Sequence, residues 1–109
     1  MGTKVRSRDV VIASAAKDSA AIDISESTYG SFLIPATITG SAVTFKTSPT
    51  LGGTYLAVAD STGTTLTVTN ITVNEWQPLP AGIMAFEFIK IVADAQAGPR
   101  ILTVLTKES

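Results

Sequence analysis

Phe86-Glu87-Phe88-Ile89-Lys90-Ile91-Val92 is the stretch whose reading decides the fold. Aromatic and β-branched side chains occupy both alternating faces, which predicts the most deeply buried strand of a small all-β domain, covered on two sides. Lys90 is compatible with that position, because its aliphatic stem can lie along apolar surface while the ammonium reaches an edge.

In both directions from this strand the chain reads as short strands and turns. Val10 to Ala13 predicts a short strand, followed by a turn over 15–19. Ile22 and Ile24 flank Asp23, so a half-buried strand over 20–24 puts Asp23 on the wet side. Ser31 to Ile34 resumes the sheet, and Pro35, lacking an amide hydrogen, ends it or places it at an edge. Over 41–48, Val43 and Phe45 alternate with Thr44 and Lys46. Pro49, Gly52 and Gly53 then turn the chain into a second hairpin arm at 54–59. Asp60-Ser61-Thr62-Gly63 predicts a tight turn in which the aspartate accepts from amides two residues on. Leu66 and Val68 alternate with Thr65, Thr67 and Thr69, which leaves a threonine face that is either plain strand chemistry or a docking face.

Asn70 to Pro80 is a longer connection that crosses between sheets and carries the single tryptophan, Trp76. Two readings of Trp76 stand: a lid over the end of the core, or an exposed anchor for a partner or a sugar ring. Asp94 to Pro99 predicts a hairpin loop, and Arg100 to Thr106 a last strand. That strand is apolar on both sides, so it is either central or covered by another chain.

Seven or eight short antiparallel strands, with turn signals every eight to twelve residues, predict a single-domain all-β sandwich of jelly-roll or immunoglobulin-like type. The strand order is not readable from the sequence. Residues 1–9 read as an extended N-terminal arm and 10–109 as the sandwich domain. Lys4, Arg6 and Arg8 fall at period two and project from one side of an extended arm.

Composition narrows the chemistry. The 109 residues are 45% hydrophobic but only 16% charged, so Thr, Ser and Ala cover much of the surface, as suits a subunit that packs against neighbours. There is no Cys and no His, which excludes disulfides, thiol nucleophiles and imidazole acid–base chemistry. The carboxylates form no motif for glycoside hydrolysis or calcium binding, and Gly52-Gly53 sits inside a hairpin instead of opening a helix. No catalytic residue, cofactor or metal ligand is expected. Residues 1–8 carry three bases and no acid, so residues 9–109 sum to −4. Such a body lacks the footprint of a nucleic-acid binder. The apolar run after Val10 is cut short by Lys17 and Asp18, so neither a signal peptide nor a membrane span is expected.

Phe32-Leu33-Ile34-Pro35-Ala36, then Thr39-Gly40, Thr44-Phe45-Lys46, Gly53-Thr54-Tyr55 and Phe88-Ile89-Lys90-Ile91-Val92, make the chain resemble small β-sandwich virion accessory proteins of tailed bacteriophages. The resemblance spans about residues 30–106. It implies a non-enzymatic head decoration or cement protein, made in the host cytoplasm and carried on the head surface. Its expected partners are the major capsid protein and further copies of itself, a trimer being favoured, with neither nucleic acid nor membrane. The arm lies outside the resemblance; Lys4, Arg6 and Arg8 are expected at subunit contacts on their own account, as are Trp76 and Leu102 and Val104 of the last strand. The alternatives are a carbohydrate-binding or adhesin module, and a tail or baseplate component.

Overall fold

The structure, a computed structural model, describes residues 5–25 and 27–107. Nine strands form among them: β1 (Val5–Ile12), β2 (Ile22–Asp23), β3 (Tyr29–Leu33), β4 (Ala42–Ser48), β5 (Leu56–Ala57), β6 (Thr67–Thr69), β7 (Trp76–Pro78), β8 (Phe88–Val92) and β9 (Arg100–Lys107). A 3-10 turn, Ala81–Ala85, precedes β8.

The pairing follows one long hairpin folded over on itself. Strand β4 pairs with β5 and β6, β3 with β7, β2 with β8, and β1 with β9, all antiparallel. Successive rungs alternate between two sheets, and β9 then pairs with β3 while β8 pairs with β4. The result is a four-stranded sheet, β1-β9-β3-β7, facing a five-stranded one, β2-β8-β4-β5 with β6 also on β4. This strand order is that of a jelly roll, which resolves the choice the sequence left open.

The core fills the space between the sheets. Val10, Ile12, Phe32, Leu102 and Val104 face inward from the first sheet, and Ile22, Val43, Phe45, Ile89 and Ile91 from the second. The Phe32 and Phe45 rings meet edge to face, with centroids 6.1 Å apart and planes at 81°. An apolar contact of this kind across the sandwich makes Phe45→Ala cost about 3–5 kcal/mol.

Much of the alternation is as the sequence predicts. Ile22 and Ile24 are buried and Asp23 is not, while Leu66 and Val68 pack on the core with Thr65, Thr67 and Thr69 exposed. The Asp60 carboxylate accepts from the Thr62 amide at 2.8 Å and hydroxyl at 2.6 Å, and Gly63 takes φ of +85°. Asn70–Pro80 does cross between sheets.

Several expectations are corrected. Strand β8 begins at Phe88, and only Ile89 and Ile91 are buried; Phe88, Lys90 and Val92 are half-buried and Phe86 is exposed, so two-sided coverage does not hold. The strand expected from Val10 starts at Val5, and every residue from Val5 to Ile12 is in register with β9. Residues 5–9 are therefore sheet. Asp94–Pro99 joins strands of different sheets, so it is a crossover, not a hairpin loop. Strand β7 lay hidden in the Asn70–Pro80 connection; its Pro78 is tolerated because β7 is an edge strand.

Candidate functional site

The outer face of the four-stranded sheet is set by register. Across it, Val5, Lys107 and Tyr29 form one row. Ser7, Leu105, Ser31 and Pro78 form the next, followed by Asp9, Thr103, Leu33 and Trp76. Val11 and Ile101 close the face. Because side chains alternate along each strand, these are the residues left over when Val10, Phe32, Leu102 and Val104 turn inward. Val5 is 61% exposed, Tyr29 64%, Ile101 57% and Trp76 47%, with Val11 also exposed. At one end a groove of about 250 Å³ opens between Val5 and Tyr29, lined also by Leu105, Ser31, Gly30 and Lys107. Asp9 and Lys107 are the charged side chains of these rows, and Asp9 already accepts from the Thr103 hydroxyl at 2.8 Å.

The outer face of the five-stranded sheet mixes polar and apolar side chains, with Phe88 and Val92 sharing the outward parity of Lys90. Thr44 pairs with Thr67, and Lys46 stands directly opposite Lys90. Two like charges opposite each other repel. Each has its own partner: Lys46 reaches Asp18 at 3.0 Å, and the Lys90 ammonium lies 4.6 Å from the Tyr55 ring centroid. At their exposure such contacts contribute well under about 1 kcal/mol each. They set the character of the face more than its stability.

Two buried polar side chains hold the loops that join the sheets. Gln96 accepts from the Thr39 amide at 2.8 Å and donates to the carbonyls of Asp94 at 2.6 Å and Thr39 at 3.1 Å. Its backbone carbonyl accepts from Ala15 at 2.8 Å, so three loops meet on one residue. Ser19 accepts the Ile91 amide on its hydroxyl at 2.9 Å and donates that hydroxyl to the Ala20 carbonyl at 2.8 Å. Nothing in the local sequence pattern marks either residue.

The residues expected at contacts do not gather into one site. Lys4 lies outside the described residues. Arg6 and Arg8 share the inward parity of Val10 and Ile12, on the side of β1 that meets β2. Arg8 Nη1 donates to the Asp23 carbonyl within the same chain. Asp23 itself is held below the usual carboxylate range, first by hydrogen bonds from the Ser25 hydroxyl and amide and then by the nearby Arg8 and Arg6 charges. Leu102 and Val104 are fully buried, so the expectation that they contact another subunit is corrected: the chain's own core already covers them. Strand β9 is central, and its other parity, Ile101 and Leu105, faces outward. Trp76 is exposed on the apolar face and is no lid over the core. Sequence reasoning missed Val5 and Ile101. The signal was the two-sided apolarity of 100–106, which does not say which side is inner. Among the described residues, no group of three or more carboxylates stands where it could hold a metal ion.

No family model and no curated protein matches the chain. Among solved structures, the SPBc2 prophage-derived protein YomS superposes with a TM-score of 0.60 at 11% identity, covering 99% of this chain and 96% of its own. A chain of the Bacillus endospore appendages, described as disulfide-linked pili, superposes with a TM-score of 0.50 at 18% identity, covering 98% and 88%. At these identities the likeness is one of fold. This chain contains no cysteine, so it cannot take part in disulfide linkage.

Proposed function

We propose that the chain is a non-enzymatic structural subunit of a tailed-phage virion, a decoration or cement protein that binds the assembled head. The observation that carries this reading is the outer face of the four-stranded sheet, where Val5, Val11, Tyr29, Trp76 and Ile101 are exposed among the described residues. Monomeric proteins rarely leave a contiguous apolar patch larger than a few hundred Å² in water, so such a face argues for a protein that works by binding. A jelly roll by itself hosts capsid and lectin domains alike, and fold does not choose between them. The prophage origin of YomS and the sequence resemblance both favour the virion.

Contacts that exist only in the assembled shell stabilise it by mass action, and repetition over a lattice makes modest contacts collectively strong. The experiment is to add purified protein to heads that lack it and locate it by electron microscopy. Ordered density on the head, with slower DNA release on warming, is the expected result. Protein found on the tail, or on no part of the particle, would sink the head assignment.

Carbohydrate binding is a second reading, favoured by the half-exposed Tyr29 and Trp76 on one face. Quenching of Trp76 fluorescence by a glycan would support it.

A further inference from the structure

We propose that the outer face of the four-stranded sheet is an isologous dimer interface, in which Ile101 of each copy seats in the groove between Val5 and Tyr29 of the other. This builds on the reading above that the face is a binding surface, and adds what covers it.

The argument begins with self-complementarity. A two-fold interface uses the same patch on both copies, so a knob must lie at one end of the patch and a matching hole at the other. On this face the knob is Ile101, 57% exposed at the last row. The hole is the groove of about 250 Å³ in the first row, with Lys107 between Val5 and Tyr29. That is room for about eight waters, enough for a branched aliphatic side chain.

The register then fixes where the knob lands. A two-fold axis lying across the strands, between the Leu105 and Thr103 rows, exchanges first row with last and second with third while leaving each strand over its own copy. Ile101 and Lys107 both belong to β9, so Ile101 of one copy falls over the Lys107 position of the other, in the middle of the groove. The same operation lays Val11 over Val5, Leu105 over Thr103, and Trp76 over Pro78. Asp9 moves to the second row of β1, one strand and one row from the Lys107 of the other copy. The two charged side chains of these rows thus become opposite neighbours across the interface. Two sheets packed face to face in this way lie about 10 Å apart, within reach of a lysine side chain.

The area is adequate. Val5, Val11, Tyr29, Trp76 and Ile101, at their exposures, present on the order of 500 Å² per copy. Both copies together reach about 1,000 Å², the size a specific interface needs, before the smaller side chains are counted.

The full chain is tested by sedimentation equilibrium and native mass spectrometry. The expected result is a dimer that Ile101→Asp weakens at least 100-fold, with the thermal melt of the monomer unit retained because Ile101 is not in the core. Thr67→Asp, on the opposite face, should leave the dimer intact. A second test fixes the register without relying on a charge in the interface. The chain has no cysteine, and Ile101 and Lys107 stand six residues apart along one strand, about 20 Å, too far to bridge within a chain. The double variant Ile101→Cys, Lys107→Cys, treated with a bifunctional thiol reagent whose spacer matches the inter-sheet gap of about 10 Å, should form a covalent dimer, and neither single variant should. A monomer at tens of micromolar, a trimer, a dimer indifferent to Ile101→Asp, or no covalent dimer from the double variant would each overturn the proposal. A monomer that still decorates heads would overturn it while leaving the virion role standing, whereas a dimer absent from the particle would do the reverse.

Discussion

Thr106 shows most directly what a single residue contributes. It is buried at the end of β9, and its hydroxyl has no hydrogen-bond partner among the described residues. Valine has the same shape without the orphaned hydroxyl, so Thr106→Val should raise stability by about 0.5–1.5 kcal/mol, measured as a higher urea midpoint. Gln96 is the opposite case. Gln96→Leu strands the Thr39 amide and removes the side-chain tie between the Thr39 and Asp94 loops, and should cost about 2–3 kcal/mol in the same measurement. Asp23 and Asp60 set the pH behaviour, both held below 3.8 by hydrogen bonds from Ser25 and from Thr62 respectively. A carboxylate whose folded pKa lies below its unfolded value adds stability above the unfolded pKa, and that stability is lost as pH falls through the folded one. With no histidine in the chain, stability should be nearly flat from pH 5 to 7 and fall below about pH 4. Denaturation midpoints for Asp23→Asn should show a shallower fall. An equally steep fall would mean that Asp23 is not among the groups responsible.

At the scale of elements, β1 carries the main consequence. Its residues from Val5 to Asp9 read as an arm because three bases at period two, with little apolar company, give no local sign of burial. In the structure they complete the register with β9, and Asp9 reaches Thr103, 94 residues away in sequence. Deleting residues 1–8 therefore strips half of β1 and uncovers the edge of β9. The expected outcome is a loss of folded stability and aggregation through the exposed edge, seen by circular dichroism and light scattering. A truncated protein that melts like the full chain would contradict the role of β1 as sheet. Strand β7 was illegible for a related reason. Three residues with a proline make a poor local signal, and only the docking of Trp76 opposite Leu33 gives them a ladder to join. The alternation of Ile22 with Ile24, or Leu66 with Val68, was legible because it needs only one apolar side and one wet side.

For the whole molecule, the outstanding property is the set of exposed apolar side chains, Val5, Val11, Tyr29, Trp76 and Ile101, on the outer face of the sheet of β1, β9, β3 and β7. If the apolar face binds, then Tyr29→Ser should leave the melting temperature of the monomer unit within a few degrees while weakening assembly, checked by melting and native mass side by side. The sequence by itself determined that this is an all-β chain, where most turns fall, and which residues alternate, because period two and turn chemistry are local. It also confined the chemistry by containing neither cysteine nor histidine. Which strands pair, and which parity of β9 points inward, was decided only by the tertiary structure. Apolar side chains on both sides of β9 satisfy the local pattern equally well. The choice rests on the packing of Phe32 against Phe45 across the sandwich and on the closing of β1 against β9 by the two ends of the chain. Leu102 and Val104 are thereby core, and Ile101 faces outward.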